Sequence, residues 1–205
     1  MKRLFAMLFA GLLLLPAARA VEAPDALIKR LSNEMIDRIK GDADLQAGNL
    51  AKMSALVDAV VMPHVNFQRM TALAVGRNWR SASPEQQKRL MEEFRALLLR
   101  TYSGALASAK DQTVRMKPLR ADPADKEVIV RSEVIQPRGA EPIQLDYRLE
   151  LAGDGWKIYD VNVLGVWLVQ TYRSQFAQEV AASGIDGLIR SLSDKNRDAG
   201  SQSRP

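Results

Sequence analysis

Few side chains in this sequence are suited to chemistry. The single histidine, His64, follows Pro63, and one histidine cannot build a multi-histidine zinc site. It is read as a loop or helix-start residue. No cysteine is present, so thiolate nucleophiles, dithiol redox pairs and thiolate metal sites are excluded. No serine stands in a G-x-S-x-G elbow. Two aspartates lie in strand-like segments. Asp146 sits on the polar phase of Ile143-Gln144-Leu145-Asp146-Tyr147-Arg148-Leu149 and is expected to be solvated. Asp160 follows Ile158 and Tyr159, in a strand expected to be buried on both faces. A buried aspartate is either a hydrogen-bonded structural group or a general base whose pocket raises its pKa, as in cone-shaped α+β isomerases. The sequence places no second acid–base group beside Asp160, which favours the structural role; a small-molecule enzyme using Asp160 as general base is the alternative.

Asp160 belongs to the stretch that organises the chain, residues 156–176. Trp156, Ile158, Tyr159, Val161 and Val163 read as a strand. The phase slips at Tyr159, which predicts a bulge or a doubly buried strand. After Gly165, Val169, Tyr172, Phe176 and Val180 recur at helical spacing. A sheet and a helical layer must therefore meet here.

The rest follows in order. Lys2 and Arg3 precede an apolar run from Leu4 to Leu15, and Ala18-Arg19-Ala20 offers small residues at both positions read by a signal peptidase. A signal peptide over 1–20, cleaved after Ala20, is expected; the run is too short for a membrane anchor. Its removal takes away Lys2, Arg3 and Arg19 and brings the net charge from +5 to near +2. No basic stripe interleaved with aromatics remains, so nucleic acid is not an expected partner. A periplasmic location in a bacterium is expected.

Helical patterns cover 23–40, 47–62 and a short segment from Asn66 to Gly76. Ser83-Pro84-Glu85-Gln86 is a capping-box start for a long helix reaching about Ala109, with Leu90, Met91, Phe94, Leu97, Leu98, Tyr102 and Leu106 on one stripe. Period-two segments follow at 114–116, 127–136, 143–151 and from Trp156. Odd-numbered residues of the third face something apolar. Gly184 is expected to end the helix after Gly165, and Leu188, Ile189 and Leu192 mark a last helix. The chain reads as one α+β domain over 21–193, an antiparallel sheet of about four strands packed against several helices. A disordered tail is expected over 194–205.

Assembled, these pieces resemble a known family. Asp160-Val161-x-Val163-x-Gly165-Val166-x-Leu168-Val169-x-x-Tyr172-Arg173-x-Gln175-Phe176, then Gly184-Ile185-Asp186-Gly187-Leu188, is similar to the C-terminal signature of the MlaC family, also called the toluene-tolerance auxiliary family. Met62-Pro63-His64-Val65-Asn66-Phe67, Ala74-Val75-Gly76, Trp79-Arg80, Ser83-Pro84-Glu85-Gln86 and Leu145-Asp146-Tyr147 resemble its other segments. Trp167 stands where the family often has a small polar residue. The resemblance spans residues 24 to 192. It implies a nuclear-transport-factor-like part and a deep apolar cavity for phospholipid. It also implies a non-enzymatic carrier without cofactor or metal, expected to be a monomer. Such a carrier moves lipid between an outer-membrane lipoprotein–porin complex and an inner-membrane ABC transporter with an MCE-domain ring, maintaining outer-membrane lipid asymmetry. Candidate lining residues, from the inward strand phases and the helical stripes, are Phe67, Met70, Phe94, Leu98, Leu145, Tyr147, Leu149, Trp156, Ile158, Val161, Val163, Val166, Val169 and Tyr172. Arg148, Lys157 or Arg173 could meet a phosphate at the rim or simply be solvated.

Overall fold

The computed structural model describes residues 21–201. The expected signal peptide and its cleavage point lie outside them. Helix α1 (Pro24–Lys40) buries Leu27, Ile28, Leu31, Met35 and Ile39 on one face. The expected helix over 47–62 is shorter and is preceded by an extra turn. A single turn, α2 (Ala43–Gln46), is capped by Asp42, and α3 (Leu50–Val60) begins where the Asn49 side chain accepts from the Lys52 amide. Asn66 caps α4 (Phe67–Val75) in the same way, through the Arg69 amide. The capping box of Ser83 and Gln86 starts α5 (Pro84–Ala107).

The sheet is antiparallel in the order β1-β2-β3-β4-β5. Its strands are β1 (Thr113–Met116), β2 (Glu127–Ile135), β3 (Ile143–Ala152), β4 (Gly155–Val163) and β5 (Val166–Trp167). The four-strand expectation lacks only the two-residue β5. The chain does not pass straight from β4 into a helix. Leu164 and Gly165 form a two-residue turn, and Val163 pairs with Val166 and Asn162 with Trp167. Both turn residues have positive φ, 52° and 87°, as the hairpin turn that matches strand twist demands. Asn and Gly are the usual occupants, so leucine at the first position is the unexpected part. The Gly165 amide donates to Asn162 Oδ1 at 2.8 Å.

Where β5 stops, the rest of the β4 edge is taken by an earlier segment. Val65 makes a parallel bridge to Ile158, the Asn66 amide donates to the Ile158 carbonyl at 2.9 Å, and Lys157 Nζ donates to the Pro63 carbonyl at 2.8 Å.

The last element, α6 (Leu168–Ser201), bends at Gly184, whose φ of 71° and ψ of −177° suit glycine alone. Beyond the bend Leu188, Ile189 and Leu192 are buried, as expected. The helix then runs past Asp194, where a disordered tail was expected. Asn196 is buried and donates to the Glu93 carbonyl at 3.0 Å and to Glu93 Oε2 at 2.7 Å. A polar stretch reads as tail when its partner lies on a helix far away in sequence.

Candidate functional site: the inner face of the sheet and the seam between two cores

The inner face of the sheet is made by a phase change. Leu145, Tyr147 and Leu149 point inward from β3. In register, Leu149 pairs with Ile158 and Arg148 with Asp160, which leaves Tyr159 as an extra residue. This bulge lets Trp156 and Ile158 face inward before it and Val161 and Val163 after it, although their numbering parity differs. Tyr159 is turned to the other face, where its hydroxyl donates to Glu127 Oε2 at 3.1 Å. There Arg69 lies 3.8 Å above its ring and bonds Glu127 and Glu150, so α4 is pinned to the outer side of the sheet.

Two separate apolar clusters pack the helices, and only the first includes strand residues. The first joins α1, α2 and α3 to the sheet. In it Leu149 and Ile158 are enclosed with Val128 and Val130, while Tyr147, Trp156 and Val161 are partly buried against it. The second joins α4, α5 and α6. Phe94 is its hub, with ring centroids 4.9 Å from Tyr172, 5.2 Å from Phe176 and 5.8 Å from Phe67. Met70, Val169 and Tyr172 are buried there, and Phe67 and Leu98 are partly buried against it. Leu145, Val163 and Val166 belong to neither cluster. The fourteen expected lining residues are thus divided: eleven sit in or against the two clusters and three belong to neither.

Along this seam the side chains are incompletely packed. Leu145, Tyr147, Val161 and Val163 on the sheet, and Leu97, Leu98 and Tyr102 on α5, all keep accessible surface. Tyr147 is the sharpest case. Burial pushes its phenol above the usual range, with Ser132 and Ser32 facing its hydroxyl, yet part of its surface stays free. The seam opens in a pocket of about 360 Å³ lined by Leu97, Tyr102, Val163, Val166, Leu168, Thr171, Tyr172, Gln175 and Lys195. Lys195 was hidden from sequence reasoning inside the polar C-terminal stretch. Leu97 and Tyr102 were visible on the α5 stripe, but periodicity could not separate them from core residues. Burial also raises the phenol pKa of Tyr102 and Tyr172.

The aspartates are held differently from one another. Asp160 is almost fully enclosed, and burial lifts its pKa above the ordinary 3.8. Its Oδ1 accepts from the Val161 and Val169 amides at 2.9 and 3.1 Å, the second capping α6, and its Oδ2 accepts from Arg148 at 3.1 Å. Both oxygens are engaged: Oδ1 ties β4 to the start of α6, and Oδ2 ties β4 to β3. The Arg148 guanidinium also lies 3.9 Å over the Trp167 ring. Asp146 corrects an expectation: it is buried, not solvated. It sits mid-sheet between Arg131 and Asn162, where even the polar phase of a strand is shielded by its neighbours. Gln144 donates to its Oδ2 at 3.0 Å, and its Oδ1 has no hydrogen-bond partner. His64 lies in the turn Met62–His64, and burial first, then the Arg30 and Lys157 charges, lower its pKa. Among the described residues no group of three or more His, Cys, Asp or Glu could hold a metal ion, and no helix is long and apolar enough to cross a membrane.

A family model described as MlaC protein matches residues 29–194. The chain belongs to the MlaC family. The MlaC match takes in every strand, all of the second apolar cluster and all of the first but Leu27 and Ile28, and it stops one residue short of Lys195. Curated relatives agree. The toluene tolerance protein ttg2D of Pseudomonas putida is 28% identical over 183 residues, 86% of this chain and 84% of the relative. The intermembrane phospholipid transport system binding protein MlaC of Haemophilus influenzae is 22% identical over 177 residues, 85% and 83% of the two chains. A solved structure of the phospholipid-binding protein from Ralstonia solanacearum, in complex with a phospholipid, is 43% identical. It superposes with a TM-score of 0.84 over 87% of this chain and 99% of that one. The α+β fold read from the sequence is therefore the MlaC fold.

Proposed function

We propose that this protein is a periplasmic phospholipid carrier, which holds acyl chains along the seam between its two apolar clusters. The observation that carries this reading is the inner face of the sheet. Leu145, Tyr147, Val161 and Val163 form an apolar surface that neither cluster fully covers, and the phospholipid-bound Ralstonia protein shares its fold. Moving two acyl chains, roughly 30 methylenes, into water costs on the order of 24 kcal/mol at about 0.8 kcal/mol each. A cavity that replaces water with side chains removes most of that cost, and a bilayer is equally apolar, so transfer in either direction stays near balance. No bond chemistry is required. A pocket of about 360 Å³ lies near the lower end of small-ligand sites, roughly 300–1,000 Å³. Cargo would enlarge it by parting the clusters along the seam, without breaking either one.

In this role the protein shuttles lipid between an outer-membrane lipoprotein–porin complex and an inner-membrane ABC transporter carrying an MCE-domain ring, and so maintains outer-membrane lipid asymmetry. Organic extraction of the purified folded protein followed by mass spectrometry tests the reading. Stoichiometric phospholipid is the expected result; a protein without lipid that turns over a polar substrate would overturn it.

A further inference from the structure

The large apolar side chains most exposed among the described residues are Val21, Leu164 and Val166. Val21 is at the first described position. The other two form the tip of the β4–β5 hairpin, with relative exposures of 65% and 53%. Water-facing turns take polar or glycine residues, and a left-handed turn position disfavours leucine further. Leu164 carries both penalties, which marks the tip as placed for a contact.

That contact is at the pocket. Val163 and Val166, on either side of the turn, line it, and α6 continues its wall with Leu168 and Thr171. The charge at this opening has one sign. Lys195 is the ionised side chain in the lining, and no carboxylate lines it. The tip is convex and two residues wide, far below the roughly 1,200 Å² that a stable protein–protein interface buries. An apolar point beside a lysine matches the anionic head-group layer of a membrane, where apolar side chains sink and lysine meets phosphates.

We infer that the Leu164–Gly165–Val166 tip is a membrane-contact element, which seats in the head-group layer of a phospholipid bilayer and sets the mouth of the pocket against it. The inference rests on the carrier reading, because it gives the contact its purpose. Leu164 is outside the pocket lining, so it can be changed without altering the site.

The test uses the full mature protein, Leu164→Asn and Leu164→Asp, with protein-free vesicles of phosphatidylcholine and phosphatidylglycerol at 3:1. Asn and Asp both tolerate the left-handed turn position, so the fold should hold, and thermal melts check it. Two readouts are taken: co-sedimentation with vesicles, which needs no bound cargo, and the rate of transfer of a fluorescent phospholipid. The wild type is expected to co-sediment. Leu164→Asn should bind and transfer about tenfold less, in proportion to lost apolar contact, and Leu164→Asp less again, with co-purified lipid unchanged in both. Equal co-sedimentation of all three proteins overturns the inference. So does a wild type that ignores vesicles until membrane proteins are added, which would make the tip a protein contact. Absence of co-purified lipid would defeat the carrier reading, while co-sedimentation would still report on the tip by itself.

Discussion

Leu145 and Leu149 lie four residues apart on the inward face of β3, and their surroundings predict opposite behaviour. Leu149 has no accessible surface and is enclosed between its strand partners Val128 and Ile158. Leu149→Ala should leave a cavity and cost about 2–5 kcal/mol. For a domain of this size about 2–4 °C accompanies each kcal/mol, so the melting temperature of the delipidated protein should fall by roughly 4–20 °C. Lipid per folded molecule should be unchanged. Leu145 keeps accessible surface and belongs to neither cluster. Leu145→Trp should place an indole in the seam with little overpacking. The delipidated variant should melt within about 4 °C of wild type, about 1 kcal/mol, while its lipid content falls severalfold. Thermal melts of delipidated samples and phosphorus quantitation of extracts read both quantities. A Leu145→Trp protein destabilised as much as Leu149→Ala, yet still loaded with lipid, would refute the assignment of the seam.

Asp160 gives a pH prediction. Burial raises its folded pKa above 3.8, so the native state binds this proton more tightly than the unfolded chain. Stability from this group is full below the unfolded value and is lost as pH rises through the folded one. Asp160→Asn, which keeps an oxygen for the Val169 amide, should therefore gain on wild type as pH is raised through that window; denaturant titrations across pH would show a flat difference if burial were not the cause. Asn196→Ala should cost about 1 kcal/mol through its lost bonds to Glu93, and truncation after Asp194 should cost at least as much; a truncated protein with an unchanged melt would mean that the last turns of α6 hold nothing. Gly184→Ala should cost roughly 1–3 kcal/mol from backbone strain alone, since no atom lies within 4 Å of the added methyl group; a neutral effect in denaturant titration would mean that the bend relaxes.

Much of the fold was legible because its signals are local. Asn66 and Ser83 announced their helices, and the alternation of 143–151 announced β3. The slip at Tyr159 foretold the bulge. The β5 hairpin was not legible, since Leu164 is no turn former and two residues are too few for a period. The site was legible only as faces. Periodicity directs Leu145 and Leu149 to the same side of the sheet but carries nothing about what fills the space opposite them, and that separates a wall from a core. Lys195 and Asn196 were missed for a related reason: polarity predicts solvent, and their partners are α5 and the pocket, contacts made across a hundred residues of chain.

The segment laid along β4 has a consequence for the protein among its own copies. A sheet with a bare edge is a template on which a second chain can add a strand and begin an ordered aggregate. Here one edge is closed partly by β5 and partly by the backbone of Val65 and Asn66. The opposite edge, β1, is four residues long, carries the exposed cation of Arg115, and is followed by Lys117 and by Pro118, which has no amide to offer. Both edges of the sheet are therefore closed to strand addition by another copy, although the sheet is built of long, β-branched-rich strands.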